Sequence, residues 1–186
     1  MPVAGGCGGS WGIAGLLYVV IGCDVTTTVG SGAKGILLRY DPVANTWSTR
    51  KAAPSAHQFP GVAGIGGKLY LVGGKNSTGV ATNTLHVYDP ATNTWSTKAP
   101  LPAARYNLIA YPVAGKLYAV GSNDAFAGTV NTVYIYDPGT NAWSNGPSMP
   151  TARAGLGGGT ISGVLYALGG STSTAAALRT TEAFTP

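Results

Sequence analysis

Apolar and polar positions along this chain follow a pattern that repeats over tens of residues. From Gly67 to Ser96 the sequence reads GKLYLVGGKNSTGVATNTLHVYDPATNTWS. An apolar run ends in paired glycines, a polar loop follows, and a second run alternates apolar with polar before a tight Asp-Pro turn and a tryptophan. The same unit returns without a gap from Gly115 to Ser144 as GKLYAVGSNDAFAGTVNTVYIYDPGTNAWS. Trp47, Trp95 and Trp143 lie 48 residues apart, and so do Tyr70, Tyr118 and Tyr166. Tyr18 precedes Tyr70 by 52, so one loop, within CDVTTTVGSGAKG, is four residues longer and the frame is otherwise kept. Self-similarity at such a period decides the architecture before any local assignment does.

Each unit parses into four short strands. In the second they are Gly61–Ile65, Lys68–Val72, Thr84–Tyr88 and Thr94–Lys98. The Gly-Gly pair between the first two suits a two-residue hairpin turn. Between the last two, Asp-Pro-Ala-Thr-Asn supplies the fixed dihedral of proline and an asparagine that tolerates positive φ. No segment carries a helical period. Four short antiparallel strands repeated at this interval read as one propeller blade. The chain is therefore expected to be all-β, a single β-propeller of four blades at about 1–50, 51–98, 99–146 and 147–186. The last blade stops before its outer strand, because Phe184, Thr185 and Pro186 take the places of the repeat Tyr-Asp-Pro.

The motif of an arginine, about ten residues, Gly-x-Leu-Tyr-x-x-Gly-Gly, then Tyr-Asp-Pro-x-x-Asn-x-Trp resembles the kelch repeat and covers essentially the whole chain. That resemblance implies a propeller used as a binding scaffold, usually with five to seven blades. Some kelch-like propellers are enzymes, copper oxidases and sialic-acid mutarotases among them. With only His57 and His86 as histidines, a copper site is not legible. A mutarotase- or glycosidase-like activity would have to rest on Asp24, Asp124, Arg105 and Arg153.

Composition narrows the function further. Charged residues make up 9% of the chain, far below the roughly 25% of ordinary soluble domains. Such a surface suits an extracellular or periplasmic protein better than a cytoplasmic one. Met1-Pro2-Val3 does not open a leader with a charged start and a long apolar stretch, so a mature protein or a fragment is expected. The net charge of +5 is scattered, without the basic clusters that nucleic acid demands, and no apolar run is long enough to span a bilayer.

Candidate site residues fall on the face that carries the longer loops, where binding residues usually sit. His57, Arg105 and Arg153 each lie ten residues before a turn glycine and would suit a carboxylate or acidic peptide; the competing reading is that each ties down loop carbonyls of its own blade. Asp24, Asn76 and Asp124 each lie six residues after the repeat tyrosine and suggest a cation such as calcium, the alternative being local turns. Trp11 and Tyr111 break the repeat at a first-strand position that Ala63 and Gly159 fill elsewhere, which makes them candidates for contacts along the central channel. The repeated tryptophans are better explained by packing between blades. In a hairpin turning at Ala14-Gly15, Cys7 and Cys23 fall opposite each other or one step off, within reach of a disulfide or as two buried thiols. The reading is a non-catalytic interaction module for a protein or glycan. The alternatives are a structural or self-associating subunit, or an excerpt of a larger propeller, that pairs its 181–186 edge in trans, and a sugar-active enzyme.

Overall fold

The computed structural model describes residues 1–23, 33–124, 128–174 and 176–185. They form sixteen strands and no helix. The first sheet is β1 (Gly9–Ile13), β2 (Leu16–Cys23), β3 (Ala33–Asp41) and β4 (Thr46–Arg50). The second is β5 (Gly61–Ile65), β6 (Lys68–Val72), β7 (Leu85–Asp89) and β8 (Thr94–Lys98). The third is β10 (Ile109–Val113), β11 (Lys116–Asp124), β12 (Gly128–Asp137) and β13 (Ala142–Asn145), with the short β9 (Arg105–Tyr106) paired to the end of β11. The fourth holds only β14 (Gly157–Ile161), β15 (Val164–Leu168) and β16 (Thr181–Phe184). Apart from β9, which pairs antiparallel with β11 across β10, the strands pair antiparallel with their chain neighbours, so each sheet is an up-and-down blade.

Blades stack because both of their faces are apolar. Alternate residues of a strand point to opposite faces, and β6 divides accordingly: Leu69 and Leu71 join one core with Tyr18, Val20 and Leu37 of the first blade, while Tyr70 and Val72 join another with Leu117, Ala119 and Tyr136 of the third. A third core, with Val120, Met149, Leu165 and Ala167, joins the third blade to the fourth. The hairpins between the first two strands of each blade turn at Ala14-Gly15, Gly66-Gly67, Ala114-Gly115 and Ser162-Gly163, with both central residues at positive φ, which matches the twist of the flanking strands. Ion pairs Lys68–Asp89 (2.9 Å) and Lys116–Asp137 (3.3 Å) bring these hairpins beside the Asp-Pro turns on one face.

Near the axis a second device links the blades. Phe59 N donates to Cys7 O at 2.6 Å, Asn107 N to Phe59 O at 2.9 Å, and Gly155 N to Asn107 O at 3.0 Å. All four residues sit at positive φ, between 54° and 62°. The inner strands pack in the order β1, β5, β10, β14. Among the described residues no bond of this series returns from Cys7 to Gly155, and the arrangement is an open arc of four blades.

Candidate functional site

Register decides which side chains reach the axis. Trp11, Ala63, Tyr111 and Gly159 each stand opposite a repeat tyrosine, Tyr18, Tyr70, Tyr118 and Tyr166, and so occupy one level of their blades. Large and small residues alternate at this level. The rings of Trp11 and Tyr111 meet across the second blade, edge to face, with centroids 5.5 Å apart and planes at 68°. They can approach because Gly64 lies beneath the indole; a Cβ there would come within 2.4 Å of Trp11 Cδ1. The Tyr111 hydroxyl donates to the Gly158 carbonyl of β14, and burial pushes its pKa upward. Both rings remain half-buried and line a cavity of about 250 Å³ together with Ser10, Pro60, Leu108 and Ile109. Among the described residues no charged side chain lines it. Aromatic edges, one hydroxyl and the glycine backbone of residues 8–9 suit an uncharged group with an apolar face.

The basic set is placed differently. His57 and Arg153 have no exposed surface and Arg105 is 6% exposed. His57 Nδ1 donates to the Gly73 carbonyl at 2.6 Å. Arg153 does the corresponding work in the fourth blade, donating to the Gly169 carbonyl at 3.0 Å, to Thr180 O at 3.1 Å and to Glu182. Arg105 pairs with Asp124, and its guanidinium lies 5.8 Å from the Tyr134 ring centre. These three side chains thus hold their own loops, and the expected acidic-ligand grip is not assembled. The physical reason is burial: a guanidinium inside a blade is retained only where carboxylate and carbonyl oxygens of the fold compensate its charge, and burial favours the neutral form of the His57 imidazole.

The expected cation set is not assembled by the described residues either. Asp24 lies outside them. Asn76 Oδ1 accepts from Thr78 N (3.0 Å), Thr78 Oγ1 (2.7 Å) and Val80 N (3.0 Å), a local turn. The Asp124 carboxylate is engaged by Arg105. Among the described residues no three of His, Cys, Asp and Glu converge as metal ligands. Cys7 and Cys23 form a disulfide with Cα atoms 5.4 Å apart. Gly6, not Cys7, pairs with Cys23, so the bridge spans positions one step off register.

Sequence reasoning missed a polar relay that runs from the buried His57 and His86 out to the exposed Thr97. His57 Nε2 lies 3.0 Å from Ser55 Oγ, Ser55 Oγ lies 3.1 Å from His86 Nε2, and His86 Nδ1 lies 3.2 Å from Thr97 Oγ1. Because the Gly73 carbonyl only accepts, His57 carries its proton on Nδ1 and Nε2 accepts from Ser55. The remaining donors then run one way, from Thr97 through His86 to Ser55. Desolvation lowers both imidazoles, His57 to about 4. The spacing of two histidines on different elements carried no sign of this contact.

A family model, the KLHDC2/KLHL20/DRC7 Kelch-repeats domain, matches residues 11–184. The solved structure of YjhT superimposes with a TM-score of 0.84 at 17% identity, covering 100% of this chain and 68% of that one, a likeness of fold alone. No curated protein sequence matches.

Proposed function

Because the chain belongs to the kelch-repeat family, we propose that it is a non-catalytic interaction module that grips an uncharged group of a protein partner in the axial cavity lined by Trp11 and Tyr111. One observation carries the reading: two aromatic rings from alternate blades meet at 5.5 Å over a glycine and stay half-buried beside a cavity that, among the described residues, no charged side chain lines. Aromatic anchors in a partly enclosed pocket are where binding energy concentrates. The titratable pairs Arg105–Asp124 and Arg153–Glu182 are engaged with each other away from that lining, which favours binding over acid-base chemistry. A disulfide supports an oxidising compartment, extracellular or periplasmic.

Selection of random displayed peptides on the protein tests this. Enriched peptides are expected to carry an uncharged aromatic or aliphatic anchor and to lose at least about tenfold in affinity on Trp11→Ala, the usual cost of removing an aromatic anchor. Enrichment of acidic peptides, or binding indifferent to Trp11→Ala, overturns it. The same half-buried indole favours, as a second reading, a sugar presenting its apolar face; a glycan array probed with the protein and with Trp11→Ala separates the two.

A further inference from the structure

A second site lies on the face of the short hairpins and Asp-Pro turns, and it shares no lining residue with the axial cavity. Where the first two blades meet on that face, a cleft of about 430 Å³ opens, lined by Ile13, Leu16 and Pro90 and by the polar ends of Tyr18 and Arg39. Arg39 is the residue that breaks the repeat. Register sets Arg39, Val87, Ile135 and Ala183 opposite the four repeat tyrosines, Tyr18, Tyr70, Tyr118 and Tyr166. Val87 is buried in the core that joins the second blade to the third, and Ile135 packs against the core that joins the third to the fourth. The first blade alone places a cation where the others place an apolar side chain.

The fold compensates its two buried arginines with carboxylates, Arg105 with Asp124 and Arg153 with Glu182. Arg39 is partly buried as well, yet among the described residues no carboxylate pairs with it, and its side chain is hydrogen-bonded to the Tyr18 hydroxyl. A guanidinium presents five N–H donors, and a phenol that accepts one of them still has its own proton to donate. Lys68, also in the lining, is neutralised by Asp89 at 2.9 Å. The lining therefore carries one uncompensated positive charge, that of Arg39. Arg50, whose Nε lies 3.2 Å from the Tyr88 hydroxyl, stands outside the lining and adds to the same positive potential.

We propose that this cleft binds a small monocarboxylic acid, with its carboxylate on the Arg39 guanidinium and the Tyr18 hydroxyl and its apolar body against Ile13, Leu16 and Pro90. The planar fork of an arginine matches a carboxylate in shape and charge. The volume lies in the range of small-molecule sites, and apolar lining with a few convergent polar groups is their usual composition. One negative charge balances Arg39, whereas a phosphate dianion or a polyacidic segment would bring surplus negative charge up to the Asp89 carboxylate in the same lining.

Fluorine NMR tests the proposal with para-fluorobenzoate and, as its neutral counterpart, para-fluorobenzamide. The acid is expected to bind with a Kd on the order of 1 mM, and the amide at least about tenfold more weakly, because it lacks the charge-assisted bonds. Arg39→Val installs the residue of the second blade, so it should remove the preference for the acid without lowering the thermal midpoint. Arg39→Lys keeps the charge, loses the fork and should weaken the acid roughly threefold; it carries the test if Arg39→Val fails to fold. Trp11→Ala should change neither affinity, which separates failure here from failure at the axial cavity. Equal affinity for acid and amide, or undiminished acid binding in either Arg39 variant, overturns the proposal. Displacement of the acid by equimolar inorganic phosphate overturns it in favour of a general anion site. No shift with either probe at millimolar concentration overturns it altogether.

Discussion

Arg153 is a guanidinium with no exposed surface, held by Gly169 O, Thr180 O, Thr180 Oγ1 and the Glu182 carboxylate. Such a group cannot double as a ligand grip, because exposing it would strand four acceptors. Arg153→Ala is therefore expected to destabilise the protein by about 3–5 kcal/mol in urea unfolding, the range for removing one partner of a buried pair; a loss below about 1 kcal/mol would mean the pair is dispensable. His57 predicts a pH dependence. Its folded pKa of about 4 lies below the ordinary 6.5 because burial disfavours the imidazolium. Between those values the unfolded chain binds more protons than the folded one, so stability rises with pH. The contribution, about 3 kcal/mol, is complete above pH 6.5, is lost as pH falls toward 4, and changes no further below that. Urea midpoints measured across this window should fall with pH, and His57→Gln should flatten the slope. An unchanged slope in the variant would assign the dependence elsewhere.

At the scale of the element, strands were legible because the repeat shows each one several times over. The four strands of the second unit read from the sequence differ from the observed β5–β8 by one residue, in the third strand. Periodicity reports what is repeated, and it fails where a blade is particular. It could not say that the residue ten before the turn glycine is buried, since an exposed and a saturated arginine look alike in one sequence. It did single out Trp11 and Tyr111, because they break the repeat, though their contact needed the register of two blades. The αL turn before each outer strand offers a clean separation of conformation from hydrogen bonding. Asn141 sits at φ 53° and its side chain accepts from Tyr136 and Ala99. Asn141→Gly keeps the conformation and loses the two bonds, whereas Asn141→Ala loses both. Thermal unfolding should therefore rank wild type above Gly above Ala, with the Gly–Ala gap near 1 kcal/mol, the cost of a left-handed non-glycine residue. Equal loss in the two variants would mean the hydrogen bonds carry the whole effect.

For the molecule as a whole, stability is a sum of blades and of the joints between them, as in any array whose units touch only their neighbours. The second blade contributes to two cores, through Tyr70 and Val72 on one face and Leu69 and Leu71 on the other. The first blade belongs to one core, but has four strands and the Cys7–Cys23 bridge. The fourth belongs to one core, has three strands, and leaves β16 unpaired on its outer side among the described residues. Native-state hydrogen exchange should then find β14–β16 opening at a lower free energy than β5–β8, as a separate cooperative unit, because local opening follows the least buried apolar contact. Within that unit the amides of β15 should open together with those of β16, since both depend on the joint formed by Val120, Met149 and Leu165. Uniform protection across all four blades would instead require a joint between the first and fourth inner strands, and with it a closed ring in solution.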